Sequence, residues 1–135
     1  MDLTLAQLRE AGSALLPGAL GIEVDDVANG VAHAHLDVED KHLAPNGYLH
    51  AAAVVGLADT ACGYGCILSL PEGGTGFTTI ELKTNFLRSV QTGTITCEAR
   101  LLHGGRTTQV WDATVFDQNG RTLALFRCTQ LVLRG

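Results

Sequence analysis

One carboxylic acid, Asp59, stands inside the most apolar stretch of the chain, Tyr48 to Leu70, with Val54, Val55, Leu57, Ala58, Ala61 and Cys62 around it. A polar group left unpaired in such surroundings costs several kcal/mol, of the order of 2–7. Asp59 therefore has either a structural partner, such as backbone, Thr60 or Tyr64, or a chemical task. The chemical task is that of a base or nucleophile, because desolvation favours the neutral acid and raises its pKa. Just upstream, Asn46-Gly47-Tyr48-Leu49-His50 leads into an Ala-rich start that reads as the first turn of a helix. The N–H groups near Ala51 and Ala52 then form a helix N-terminus able to donate to an oxyanion. Ala51 and Asp59 are eight residues apart. At the α-helical rise that is about 12 Å, too far for both to serve one carbonyl. If they cooperate, a symmetry mate must bring its own acid to this helix start, which predicts a two-fold dimer with two shared sites.

The rest of the chain has to hold these groups. Leu5, Leu8, Ala11, Ala14 and Leu15 have helical spacing, which predicts a short amphipathic helix over 4–15, with Thr4 as cap and Pro17 and Gly18 as stop. Ile22 to Val27 and Val31 to Val38 flank Ala28-Asn29-Gly30 and predict a β-hairpin with one buried face. A polar connection, Glu39 to Asn46, leads to the long apolar segment, read as a buried central helix. Four strand-like runs follow: Phe77 to Leu87, Thr94 to His103, Thr107 to Phe116 and Thr122 to Leu133, with a tight hairpin turn at Asp117 to Gly120. The economical packing is an α+β domain, a mostly antiparallel sheet wrapped around the hydrophobic helix, because each needs an apolar partner face.

Composition narrows the function. The chain has 135 residues, which predicts one domain, 1–135; it is 46% hydrophobic and 17% charged, enough for a core and too little charge for disorder. A net charge of −5 lacks the basic field that nucleic-acid binding needs. A mean hydropathy of +0.19 with sixteen glycines points to extra buried surface at a subunit interface. Asp59 at the centre of the apolar segment argues against a membrane span, and residues 1–20 resemble neither a signal peptide nor a transit peptide. The expected compartment is the cytoplasm. Cys62, Cys66, Cys97 and Cys128 form no CxxC pair and read as buried free thiols, while His33, His35, His42, His50 and His103 complete no zinc spacing, so no metal is expected.

The stretch His50-Ala-Ala-Ala-Val-Val-Gly-Leu-Ala-Asp59-Thr resembles the His-Gly-Gly helix of the hotdog-fold acyl-CoA thioesterases, in which an acid follows the His at this same spacing. Thr79-Ile-Glu-Leu-Lys-Thr-Asn-Phe-Leu-Arg88 and Leu102-His-Gly-Gly-Arg106-Thr-Thr-Gln-Val-Trp111 are similar to the same family, in particular its phenylacetate-pathway (PaaI-type) branch. The resemblance covers nearly the whole chain. It implies a hotdog fold, a six-stranded antiparallel sheet around the helix, dimers pairing into tetramers, and cofactor-free hydrolysis of an aromatic or medium-chain acyl-CoA. It also implies residue roles: Asp59 as nucleophile or general base, the Ala51 N–H as donor to the thioester oxygen, Thr79 placing water or acyl group, and His50 at the start of the helix. For coenzyme A it points to Arg88 and to Gly105, Arg106 and Thr107 near the nucleotide phosphates. Two departures stand out. Ala51 and Ala52 replace the paired glycines, and Ala44 stands where the family often has Asn or Gln, with Asn46 two residues on as a substitute.

Two other functions fit the same fold. A non-catalytic module would bind acyl-CoA without turnover, and a hotdog dehydratase or hydratase would use His50 as base and leave the thioester whole.

Overall fold

The first helix is closed at its start by reciprocal bonds: the Gln7 N–H donates to the Thr4 hydroxyl at 3.2 Å and the Thr4 N–H to the Gln7 side chain at 2.9 Å. In the computed structural model, which describes residues 3–135, this helix, α1, spans Leu5–Ser13. The expected run to Leu15 ending at Pro17 is corrected here, because a second short helix, α2, spans Leu16–Leu20 with Pro17 in its first turn. Proline lacks an N–H that a first turn leaves unbonded anyway, so it opens a helix as readily as it closes one.

The strands are β1 (Ile22–Ala28), β2 (Val31–Asp37), β3 (Gly76–Phe86), β4 (Thr94–Gly104), β5 (Thr108–Phe116) and β6 (Thr122–Leu133). They make one antiparallel sheet in the order β1-β2-β4-β5-β6-β3. The central helix, α3, spans Ala51–Ile67 and lies across the inner face of that sheet. This is the hotdog architecture expected above. The core forms where Leu57, Ala58, Ala61 and Cys62 of α3 meet Leu36, Ile95, Trp111, Val115 and Cys128. All four cysteines are free and buried. Alternation along β4, β5 and β6 turns every second side chain inward, as the sheet's period of two requires.

Close approach of helix to sheet depends on missing side chains. A Cβ built at Gly65 would stand 2.5 Å from the Trp111 ring, and one at Gly63 would stand 3.1 Å from the Phe77 ring. These contacts explain the glycines late in the helix. One consequence bears on the site: β3 is a sheet edge, eleven residues long, and carries Ile80, Leu82 and Phe86 exposed. A long apolar edge of this kind is a template for pairing with another strand.

Gly65→Ala is expected to destabilise the fold by about 1–3 kcal/mol, the usual cost of overpacking a filled core. Urea unfolding checks it, with a lower midpoint at unchanged slope as the expected result.

Candidate active site

The site begins with the loop that delivers α3. His42 is buried, its Nδ1 accepting from the Glu39 N–H at 2.9 Å and its Nε2 donating to the Leu20 carbonyl at 2.7 Å. Its own carbonyl accepts the His50 N–H at 2.8 Å, so the His42 ring anchors the residue that starts the helix. Between them the chain folds back: the Gly47 N–H donates to the Ala44 carbonyl at 2.9 Å, and Gly47 takes φ +85°, a conformation glycine adopts without strain. Pro45 and Asn46 occupy the corners, as suits such a turn. Sequence reasoning missed His42; a lone loop histidine carries no signal until both its ring nitrogens are seen to be bonded.

His50 is the N-cap, and its Nδ1 accepts the Ala52 N–H at 2.9 Å. The Ala53 N–H donates to the His50 carbonyl at 3.0 Å. The expectation that both Ala51 and Ala52 donate outward is therefore corrected for Ala52, whose N–H is capped by the neighbouring imidazole. Ala51 keeps the one first-turn N–H of these three without a partner among the described residues. With Nδ1 accepting, the neutral His50 ring carries its proton on Nε2.

Two adjoining hollows flank this N–H. One is lined by Val54, Phe86 and Leu123 with Arg88 at its side; the other is lined by Ala44, Asn46, Tyr48 and His50; Leu49, Ala51 and Ser89 belong to both. Arg88 is thus beside the helix start. Asn46 is as well; its Oδ1 accepts the Tyr48 N–H at 3.1 Å, which leaves its amide N–H groups and the oxygen's second lone pair for a ligand. Ala44 offers the hollow a methyl group. Ser89, which sequence reasoning also missed, brings a hydroxyl to the same place.

Asp59 is half-buried on α3, and its Oδ1 is buried without a partner among the described residues. Tyr64, one of its expected structural partners, donates instead to the Leu8 carbonyl at 3.3 Å. Burial lifts the Asp59 carboxyl above its ordinary value. The helix runs antiparallel to β3: Ala51 and Val54 share a hollow with Phe86, whereas Gly63 faces Phe77 at the other end of the strand. Asp59, one turn before Gly63, therefore lies toward the Phe77 end of β3. Thr79 is there, paired in register with Gln130 and donating its hydroxyl to Gln130 Oε1 at 2.6 Å.

The remaining expected residues stand apart. Gly105, Arg106 and Thr107 form the turn between β4 and β5, where the Gly105 N–H donates to the Thr108 carbonyl and the Val132 N–H to that of Thr107. The Arg88 N–H donates to Leu123, at the opposite end of β6. Leu123 and Val132 are nine residue steps apart along the strand, about 30 Å at the extended rise. Arg88 and Arg106 of one chain are not brought together.

The geometry has counterparts among known proteins. Residues 46–124 match the thioesterase superfamily. The chain is 36% identical over 114 residues to 1,4-dihydroxy-2-naphthoyl-CoA hydrolase of Listeria monocytogenes, covering 84% of this chain and 92% of that protein. It is 33% identical over 132 residues to the proofreading thioesterase EntH of Klebsiella pneumoniae, covering 98% and 96%. Among solved structures, a mutant of thioesterase PA1618 from Pseudomonas aeruginosa superposes with a TM-score of 0.92 at 28% identity, covering 100% of this chain and 97% of that one. The Escherichia coli PaaI protein from the phenylacetic acid degradation operon gives 0.85 at 28% identity, covering 96% and 91%.

The raised Asp59 pKa has a signed consequence for stability. The folded state holds this proton to higher pH than the unfolded chain, so stability falls as pH rises from the ordinary Asp value through the raised one, then levels off. Asp59→Asn removes that loss. The variant is expected to be more stable than wild type at neutral pH and to lose its advantage as pH drops below the ordinary Asp value. Urea unfolding across that range measures the difference.

Proposed function

The chain belongs to the thioesterase superfamily, in its hotdog-fold, PaaI-type branch, and is a thioester hydrolase; on that premise we propose that it cleaves an aromatic or medium-chain acyl-CoA to the free acid and CoA. The observation that carries this reading is one helix holding a desolvated, unpartnered carboxyl and, about 12 Å away, an open N-terminal N–H. An acyl transfer needs both. The thioester oxygen accepts from the Ala51 N–H, where the helix N-terminus favours the charge that develops on it. The partner's Asp59 takes a proton from water as the water oxygen bonds to the carbonyl carbon, or bonds to that carbon itself to give a mixed anhydride that water then cleaves, releasing the acid and regenerating the carboxylate. Collapse of the tetrahedral intermediate breaks the C–S bond, and the thiolate leaves as CoA-SH once protonated.

His50 supports this by capping the helix and holding Ala51 at the mouth of the hollow. The apolar lining of Leu49, Val54, Phe86 and Leu123 suits the uncharged thioester arm, and Arg88 beside it offers a guanidinium to phosphate outside. Arg106, with Gly105 and Thr107, joins a nucleotide site only from another subunit, given the strand length between them. The exposed edge of β3 supports a dimer in which a second copy continues the sheet, with pairs of dimers forming a tetramer. Four free thiols agree with a reducing compartment such as the cytoplasm.

Thiol release from a panel of acyl-CoAs tests the reading. Wild type is expected to release thiol, and Asp59→Asn to lose it by orders of magnitude while still folding. Binding without release would favour the non-catalytic module, and a changed acyl group on an intact thioester would favour the dehydratase.

Site sharing has its own test. Ala51→Pro deletes the N–H at the first helical position, where proline is tolerated, and is expected to lower kcat about 100- to 1000-fold. Mixing and re-forming dimers of Ala51→Pro with Asp59→Asn should restore about a quarter of wild-type turnover, since half the dimers are mixed and each has one intact site. No recovery would place both groups in one chain's site.

A further inference from the structure

Gln109 and Gln130 are register partners on β5 and β6, and both are fully buried, at 0% exposure. Their hydrogen bonding differs. Gln109 Oε1 accepts from the Trp111 indole at 2.7 Å and its Nε2 donates to the Ser69 carbonyl at 3.0 Å, so its burial is explained by tying β5 to the end of α3. Gln130 Oε1 accepts from the Thr79 hydroxyl at 2.6 Å, while its Nε2 is buried with no partner among the described residues. Buried donors are rarely left so, because the water they gave up is not replaced.

Its location gives the open donor a purpose. Gly63 faces Phe77, and α3 runs antiparallel to β3. Asp59 lies one helical turn back from Gly63, and Thr79 lies two residues on from Phe77, in the same direction and on the same face of the strand. The two displacements are each about 6–7 Å. The Thr79–Gln130 pair therefore lies beneath the Asp59 carboxyl.

We propose that Gln130 is a positioning residue for hydrolysis, which holds the Thr79 hydroxyl and, with it, the attacking water. The inference rests on the general-base form of the function proposed above. Because Thr79 gives its proton to Gln130 Oε1, its oxygen is left to accept. The water then donates one O–H to Asp59 and the other to Thr79, and accepts from Gln130 Nε2 with one lone pair. Its second lone pair faces the carbonyl carbon. As the C–O bond forms, the first proton passes to Asp59; the tetrahedral intermediate then collapses, the C–S bond breaks with its electron pair on sulfur, and the proton held by Asp59 passes to the thiolate, directly or through water.

The test measures kcat, KM and their pH profiles by thiol release for Gln130→Met, Thr79→Val, Thr79→Ser, the double variant Gln130→Met/Thr79→Val, and Gln109→Met. Gln130→Met is expected to lower kcat roughly 10- to 100-fold at unchanged KM. Thr79→Ser should retain turnover, and the double variant should be no worse than Thr79→Val, because the two side chains act as a unit. Gln109→Met should lower thermal stability yet leave kcat alone. If Gln130→Met fails to fold, Gln130→Glu keeps the acceptor and loses the amide donor, and should add a second titration to the pH profile of kcat. Wild-type kcat in Gln130→Met, multiplied losses in the double variant, or an unaltered profile in Gln130→Glu would overturn the proposal while leaving the thioesterase standing. A wild-type protein that releases no thiol would overturn both.

Discussion

A seventeen-residue helix whose only charged side chain is Asp59 has to be covered on nearly every side. The six-stranded sheet can cover one side if it curls. Register shifts in the β1–β2, β3–β6, β4–β5 and β5–β6 pairings help it to do so, since an extra residue in one strand bends it and increases its twist. Glycines 63 and 65 let the helix sit within contact distance of Phe77 and Trp111. The same constraint leaves β3 at the sheet edge with apolar side chains in water, so the helix, the curved sheet and the unfinished edge have one common cause.

Within so apolar a frame, the polar groups divide by whether their bonds are complete. His42 and Gln109 use both of their side-chain polar atoms, and each ties one element to another. Asp59, Thr84 and Gln130 each have a buried atom with no partner among the described residues. These three belong to α3 and to the paired strands β3 and β6, the region where the fold is still open. Unsatisfied polarity at an open edge is what a site completed by water, substrate and a second chain requires, since each can supply the missing bond.

Much of this was legible in the residues. Alternation in 94–103, 107–116 and 122–133 set out strands of which the structure extends the first by a residue, trims the second by one and keeps the third, because hydrophobic period is a local property of the chain. Asp59 declared itself by being the one acid in an apolar run. Other features were hidden for stated reasons. Pro17 is compatible with both an end and a beginning, and its neighbours do not decide between them. Gln130 sits in a strand where either face would accept a glutamine by pattern, and only burial beside Thr79 shows its role. Ala52 looked like a donor until the His50 ring was seen folded over it.

By itself, then, the sequence determined the order of elements, the apolar helix with its acid, and the distance along that helix that no single carbonyl can bridge. These follow from periodicity, composition and helical rise, all of which act over a few residues. Tertiary structure decided which N–H stays open, which buried amide is satisfied, and that Arg88 and Arg106 stand at opposite ends of the same strand. Those outcomes depend on hydrogen bonds and separations between residues far apart in the chain, and such partners are chosen only when the whole sheet has closed on its helix.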